Sequence, residues 1–494
     1  MARSHTSGLS KSLILKGLQC RKALWLTRNP PAFELPPQPA RDALFSAGTE
    51  VGILARQLYP GGREVPFEGL SIPAQLARTK ELLASDVEVI YEAAFSFSAI
   101  FIKVDILVRD GDSWQLHEVK MSSAVKSVHL DDVAVQHYVL NGCGIKVSKA
   151  VLIHLDRSYC RGEELEIQRL FHSEEITTKV KARQQSLPEI VIECRQTLGE
   201  YREPAIPIGP HCTDPYQCEF IPYCWRQVPT PSVFDLPGDA ADKFAFYRRG
   251  LSSFAELPLA ELEPRQRQQV EAFLNRTRNI DQQRLKEFLA RIRYPLCCLD
   301  LTGVSTALPL FAGTRPYQPL PFLFAVHRQS SPDDPPEQVS FLAEPGRDPR
   351  SQLARELLAA IPASACVLTC NPTVDRNLLS DLATRYPELA PAIEQRLANL
   401  QDLLTPFRNR WIDDWRMNSV ETLSDVLPAL GIDLPAPVTA LTDEGAAQRA
   451  YLACQASTDP AQQEQLQREL LSYAEQNGLT MVRVLQELRN LARH

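Results

Sequence analysis

The chain has 494 residues, 44% hydrophobic and 23% charged, with a net charge of −7. This is the composition of a folded globular protein of roughly three domains, and it excludes a disordered or collagen-like chain. No apolar run approaches the ~18 residues that span a bilayer, and the acidic balance excludes a broadly basic nucleic-acid coat while leaving room for a local basic channel.

The first twenty residues have no adequate apolar core and no small-residue cleavage site, so the expected location is cytoplasmic. Two modest basic clusters, Lys11-Lys16-Arg21-Lys22 and Lys179-Lys181-Arg183, read as solvated helix faces. Residues 9–27 are expected to form a helix, with Ile14, Leu18 and Trp25 on one face and Cys20 inside it. A Pro-rich stretch at 29–39 interrupts, and a second helix is expected at 41–59. Gly48 and Gly52 flank Glu50 in that helix, which suggests close packing or a ligand nearby, so that Glu50 could complete a metal site. A third helix is expected at 73–85 and a strand at 88–97.

Residues 101–120 then read as a β-hairpin. Ile102, Val104, Ile106 and Val108 alternate with Phe101, Lys103, Asp105 and Leu107, so one face is apolar and the other carries an acid. Asp110-Gly111-Asp112 supplies the turn. Glu118 and Lys120 share a face of the return strand. Either two-residue loop keeps Asp105 on that face, whereas a three-residue loop puts it on the other. Two carboxylates and a lysine converging in an apolar hairpin are costly to bury unpaired. A hard divalent cation held by Asp105 and Glu118 relieves the repulsion. Lys120 would then face the developing charge on a phosphate or position the attacking water. The bland alternative is a solvated face with a surface ion pair.

Further on, a helix at about 129–141 carries Gln136 on a packed stripe with Tyr138 two residues later, and 149–155 is a short apolar strand. Residues 163–201 contain a polar helix. Cys212, Cys218 and Cys224 follow at C-x5-C-x5-C spacing in a proline-stiffened loop and read as metal ligands. The x5 gaps fit zinc poorly. The fourth ligand must come from elsewhere, Cys20 first and His211 second, and a thiolate-rich four-ligand site holds zinc or an iron–sulfur cluster. The other eight cysteines read mostly as small core residues.

The hairpin pattern D-x12-E-x-K resembles that of the PD-(D/E)XK nucleases. With the lone N-terminal cysteine, the later Gln and the cysteine triplet, residues 8–227 resemble the iron–sulfur RecB-like nucleases, which include AddB-type helicase-nucleases and CRISPR-associated adaptation exonucleases. The resemblance implies a restriction-endonuclease-like α/β domain acting on DNA with Mg2+ or Mn2+. It implies Asp105 and Glu118 as metal ligands, Lys120 as the catalytic lysine, Glu50 as the upstream helix acid and Gln136 as the motif glutamine near substrate. It also implies that Cys20, Cys212, Cys218 and Cys224 bind a [4Fe-4S] cluster. Two features depart from the pattern: Leu140 stands where the usual tyrosine follows the glutamine, with Tyr138 nearer, and the cysteine spacing is wider than the usual C-x2-C opening.

Residues 228–292 read as a linker and helical connector, and 293–494 as an α/β domain. Strands are expected at 294–303, 313–329, 338–344 and 365–371, with helices at 350–360 and 462–492. The order is that of an RNase H-like fold. The whole chain resembles an uncharacterised bacterial family joining a RecB-like iron–sulfur half to an RNase H-like, DnaQ-type exonuclease half. That exonuclease type uses four carboxylates. Here Asp300 is followed by Thr302 where the first motif needs Glu, Asp375 is the second-motif acid, and Tyr473 is followed by Asn477 where the third needs Asp. Glu475 points about 200° away from position 477 on a helix and is a poor substitute. Two missing ligands should abolish a two-metal site, so this half is expected to be degenerate and kept for substrate binding or contact with a protein partner. The competing reading of the whole chain is a non-catalytic nucleic-acid-binding or scaffolding protein.

Overall fold

The structure is a computed structural model that describes residues 8–32, 35–332, 334–433 and 439–493. It is mixed α/β. The chain divides into two compact units, Met1–Gln227 with Thr306–Gln318, and Val228–Ser305 with Pro319–His494. Residues 228–292, expected as a connector, belong to the second unit.

Unit 1 is built on one mixed sheet. Its strands are β1 (Leu9–Ser10), β2 (Arg63–Glu64), β3 (Val89–Phe97), β4 (Ile100–Asp110), β5 (Ser113–Lys120), β6 (Val147–Leu155) and β7 (Phe171–Glu175). They run in the order β2-β3-β4-β5-β6-β7, with β1 added to β4. The helices are α1 (Lys11–Gln19), α2 (Arg21–Arg28), α3 (Pro39–Ala55), α4 (Ile72–Leu83), α5 (Ser127–Gly142), α6 (Ile167–Leu170), α7 (Thr177–Arg183), α8 (Leu187–Gly199) and α9 (Ile221–Cys224). One face of the sheet packs on Ile14 of α1, Val133 and Leu140 of α5, and Val191 of α8. The other packs on Val51 and Ala55 of α3, with Ala307 and Tyr317 from the returning segment.

Three local features depart from the sequence expectation. The helix expected at 9–27 breaks at Cys20, which is extended (φ −161°, ψ 119°) and both closes α1 and opens α2. The segment 163–201 is not one helix: β7 interrupts it at Phe171–Glu175, and α7 and α8 follow separately. The alternation of β4 does not run its full length. Ile102, Val104 and Leu107 join one core and Ile106 and Val108 the other, so the strand changes face at Asp105. Its partner β3 does the same: Tyr91 lies opposite Ile106 and Ala93 opposite Val104, and the residue skipped between them, Glu92, has a left-handed φ of +54°.

Unit 2 contains β8 (Arg278–Ile280), β9 (Leu296–Val304), β10 (Leu320–Gln329), β11 (Glu337–Leu342), β12 (Cys366–Thr369), β13 (Leu400–Asp402) and β14 (Ile412–Asp414). The main sheet runs β11-β10-β9-β12-β13, antiparallel through the first three strands and parallel from β9 to β13, while β8 and β14 form a separate pair. Its helices are α10 (Ala240–Arg248), α11 (Pro264–Asn275), α12 (Gln282–Arg291), α13 (Arg350–Ala360), α14 (Pro372–Arg385), α15 (Ala390–Ala398), α16 (Thr405–Arg408), α17 (Leu427–Leu430), α18 (Glu444–Ala456) and the 34-residue α19 (Pro460–Arg493). The strand expected at 313–329 begins only at Leu320, because residues 306–318 leave this sheet and pack in unit 1. No helix among the described residues is long and apolar enough to cross a membrane.

Candidate functional site

The site forms where β4 and β5 part. Their ladder runs from Asp110 opposite Ser113, across the Gly111-Asp112 turn, to Ile106 opposite His117. Gly111 takes φ +58°, which a two-residue hairpin turn favours. Beyond that pair β5 follows β6 as far as Lys120 opposite His154, while Ile100 and Phe101 of β4 pair with Leu9 and Ser10. The parting strands leave the Val119 N–H without a strand partner in the β4 ladder, and it donates instead to Asp105 Oδ2 at 2.8 Å. Of the loops the sequence left open, the two-residue Gly111-Asp112 loop is the one formed, and Asp105 reaches the Glu118 strand.

Glu118 is buried, and both its oxygens are engaged. Oε1 accepts from Lys120 Nζ at 2.6 Å and from Lys11 Nζ at 3.0 Å, and Oε2 accepts from Gln136 Nε2 at 2.6 Å. A second buried acid, Asp132 on α5, mirrors it: it pairs with Lys120 at 2.5 Å and Lys11 at 2.8 Å and accepts from Gln136 at 3.0 Å. Gln136 is fully buried, and its Oε1 has no hydrogen-bond partner among the described residues. Such an orphan acceptor is costly unless a donor or cation meets it.

Three acids thus face two ammoniums. Burial and then the Glu118 charge push the Asp105 carboxyl up to about 8. Burial also works against ionisation of Asp132, but the ammoniums of Lys11 and Lys120 outweigh it and hold that carboxyl well below the usual range. Burial disfavours the charge on Lys120, yet Glu118, Asp132 and Asp105 keep its ammonium firmly protonated. Nearby His129 is kept neutral, pushed down to about 4 by burial and by the Lys120 charge.

The sequence named Asp105, Glu118, Lys120 and Gln136, and they lie together. It missed Asp132 and Lys11. Asp132 had a readable signal: it precedes Gln136 by one helical turn and so shares its face. Glu50 and Tyr138 are not drawn in. Glu50 is exposed on α3, with no hydrogen bond or ion pair to the site among the described residues. The Tyr138 ring packs edge-on against Phe97 in the apolar core, its centroid 5.8 Å away.

Cys20, Cys212, Cys218 and Cys224 line one pocket, together with His211, of about 330 Å³ including its open mouth. Burial pushes the Cys218 thiol up to about 11 and also raises Cys224. Among the described residues, no three His, Cys, Asp or Glu side chains stand close enough to hold one metal ion. The thiolates of an iron–sulfur cluster bind different irons and stand farther apart than ligands of one ion, so four thiols around one pocket suit a cluster in donor chemistry. The oxygen donors of Asp105 and Glu118, with the orphan Gln136 Oε1, likewise suit a hard cation.

In unit 2, Asp300 and Asp375 are buried acids. Asn477 donates to Asp300 at 3.4 Å, the Thr369 hydroxyl donates to Asp375, and Thr302 is buried on β9 two residues after Asp300. Burial pushes Asp300 up to about 7 and Asp375 up to about 8. Glu475 accepts from Ser340 of β11 at 3.3 Å. Glu444 of α18, unremarked in the sequence, is close enough to raise both aspartates.

Residues 297–421 match a family described as a domain of unknown function, DUF2779. The match covers Asp300, Thr302 and Asp375 but neither Asn477 nor any part of the site in unit 1. No curated protein matches the chain.

Proposed function

We propose that the protein is a metal-dependent nuclease acting on DNA, with phosphodiester hydrolysis at the unit 1 site. The observation that carries this reading is the convergence of Asp105, Glu118, Lys120 and Gln136 where two strands part. A Mg2+ or Mn2+ ion, when bound, supplies Lewis-acid stabilisation of the phosphate and an activated water. Asp105 and Glu118 would hold it. Lys120, fixed between Glu118 and Asp132, presents a permanent positive charge to the phosphate. Gln136 orients the two acids. The unit belongs, in this reading, to the restriction-endonuclease-like PD-(D/E)XK class.

Cys20, Cys212, Cys218 and Cys224 are proposed to hold a [4Fe-4S] cluster that stabilises unit 1. Brown colour and four iron atoms per chain after anaerobic purification support this, while colourless protein with stoichiometric zinc refutes it. A site of four cluster-bound thiolates fits a reducing, cytoplasmic setting. The strand order of unit 2 supports an RNase H-like reading. With Thr302 and Asn477 in place of two acids, that unit serves substrate or protein binding rather than catalysis.

One observation favours a non-catalytic alternative, in which the chain only binds nucleic acid or acts as a scaffold: Lys11, Lys120 and Gln136 already engage both oxygens of Glu118. Incubation of single- and double-stranded DNA with Mg2+ or Mn2+ separates the two. The nuclease reading expects product from the wild type and none from Lys120→Ala. Equal traces from both leave only the binding role.

A further inference from the structure

The N-terminal helix has one end in the carboxylate site and the other in the cysteine pocket. Lys11 is the first residue of α1, and its ammonium lies 3.0 Å from Glu118 and 2.8 Å from Asp132. Gln19 is the last, and its side-chain amide donates to the carbonyls of His211 at 2.8 Å and Tyr216 at 2.6 Å, within the cysteine loop. Cys20 follows and lines the pocket itself. Lys16 forms an ion pair with Glu219, between Cys218 and Cys224.

The helix between these ends has little play. Ser10 caps its start through the Leu13 N–H, and β1 anchors that cap to β4. A Cβ at Gly17 would sit 2.6 Å from the Cys194 sulfur, so α1 lies flush against α8. A nine-residue helix is stiff over about 13 Å, so a displacement at its C-terminal end is carried to its N-terminal end.

We propose that Lys11 is a positioning residue that tempers the charge of the carboxylate site, and that the cysteine loop sets its seat through α1. Its meaning for catalysis rests on the nuclease reading. Lys11 neutralises part of the Glu118–Asp132 charge and keeps both acids oriented around Lys120. An arriving divalent cation competes with that ammonium for Glu118. When the cysteine site is lost, α1 loosens, Lys11 withdraws, and the acids are left with Lys120 alone. The cysteine site therefore governs cation affinity as well as folding.

The test uses the full chain, with the cysteine site loaded in the wild type, Lys11→Met and Gln19→Ala, and Mn2+ alone as the probe. Lys11→Met removes a like charge beside the cation and should tighten Mn2+ binding about tenfold, whereas a merely structural lysine would weaken it or leave it unchanged. Cys20→Ser and Gln19→Ala each release the far end of α1. Both should tighten Mn2+ binding in the same direction and add nothing to Lys11→Met in the double variants. Acetylation of surface amines, read by mass spectrometry, should label Lys11 several-fold faster in the single variants Cys20→Ser and Gln19→Ala, with Lys149 on β6 unchanged. Independent, multiplying effects on Mn2+ affinity, or unchanged Lys11 labelling in a folded variant, overturn the coupling. If Cys20→Ser does not fold, Gln19→Ala, which keeps every thiol, decides. If the wild type binds no Mn2+, the cation-site reading fails, and the labelling still decides whether α1 links the two ends.

Discussion

Asp105 accepts the Val119 N–H at 2.8 Å at the point where β4 and β5 separate. The side chain of a proposed metal ligand thus also completes a strand's hydrogen bonding. The two roles come apart under substitution. Asp105→Ala leaves the Val119 donor unpaired and should cost about 1–3 kcal/mol of stability. Asp105→Asn keeps an acceptor in place and should unfold within about 1 kcal/mol of the wild type. Both should lose DNA cleavage. Denaturant unfolding beside a cleavage assay checks this, and equal destabilisation by the two variants would contradict it.

Asp132 holds Lys11 and Lys120 together. Asp132→Asn leaves two ammoniums to Glu118 and to Asp105, whose ionisation burial opposes, which should destabilise unit 1 by about 3–5 kcal/mol. Adding Lys11→Met removes the surplus cation and should recover part of that loss. A thermal-unfolding cycle over the four proteins measures the coupling, and simple additivity would show that the pair acts separately.

Glu50 is exposed and has no link to Asp105 or Glu118. Glu50→Ala should leave cleavage within about twofold of the wild type, because exposed substitutions away from a site change little. A loss comparable with that of Lys120→Ala would bring α3 into the site after all.

Asp300 and Asp375 give unit 2 a defined pH response. Burial raises them from 3.8 to about 7 and about 8. The folded unit therefore keeps protons that the unfolded chain releases once the pH passes about 4. Their contribution to stability is complete below that pH, falls as the pH rises through the neutral range, and is gone above about 8. The loss attributable to Asp300 should be on the order of a few kcal/mol. Guanidinium unfolding of unit 2 between pH 5 and 8.5 should show this slope, and Asp300→Asn should lessen it, leaving the share of Asp375, without touching DNA cleavage. A stability that rises over that range would reverse the sign.

The part of the site that the sequence revealed is the part made by local geometry. Glu118 and Lys120 lie two apart on one strand, the Gly111-Asp112 turn sets the hairpin, and Gln136 sits on a helix close by. Cys20 and the triplet read as one set through their residue type, and they line one pocket. Lys11 was hidden because its place depends on a pairing between residues 91 positions apart, Leu9 with Ile100, which leaves no local trace. The face change of β4 was hidden for a related reason. Its apolar alternation is unbroken in sequence, and the switch comes with a left-handed residue, Glu92, on the neighbouring strand. The break at Cys20 likewise runs against an amphipathic pattern that favours a continuous helix. The end of the arm at 306–318 reads as the start of the strand expected at 313–329, and nothing local shows that the arm packs in the other unit.

That arm sets a timetable for the nascent chain. Tyr317 donates to the carbonyl of Met121, the residue after Lys120, across 196 positions of sequence. Gly313 and Thr314 pair with the backbone of Arg161, and the Arg161 guanidinium caps the carbonyls of Pro309 and Leu310. At about 5–20 residues per second, the ribosome finishes Lys120 roughly ten to forty seconds before it makes Tyr317. Through that interval the Met121 carbonyl, just past the strand carrying Glu118 and Lys120, is without its Tyr317 donor. The first unit to be synthesised is thus completed by residues made well after the second has begun.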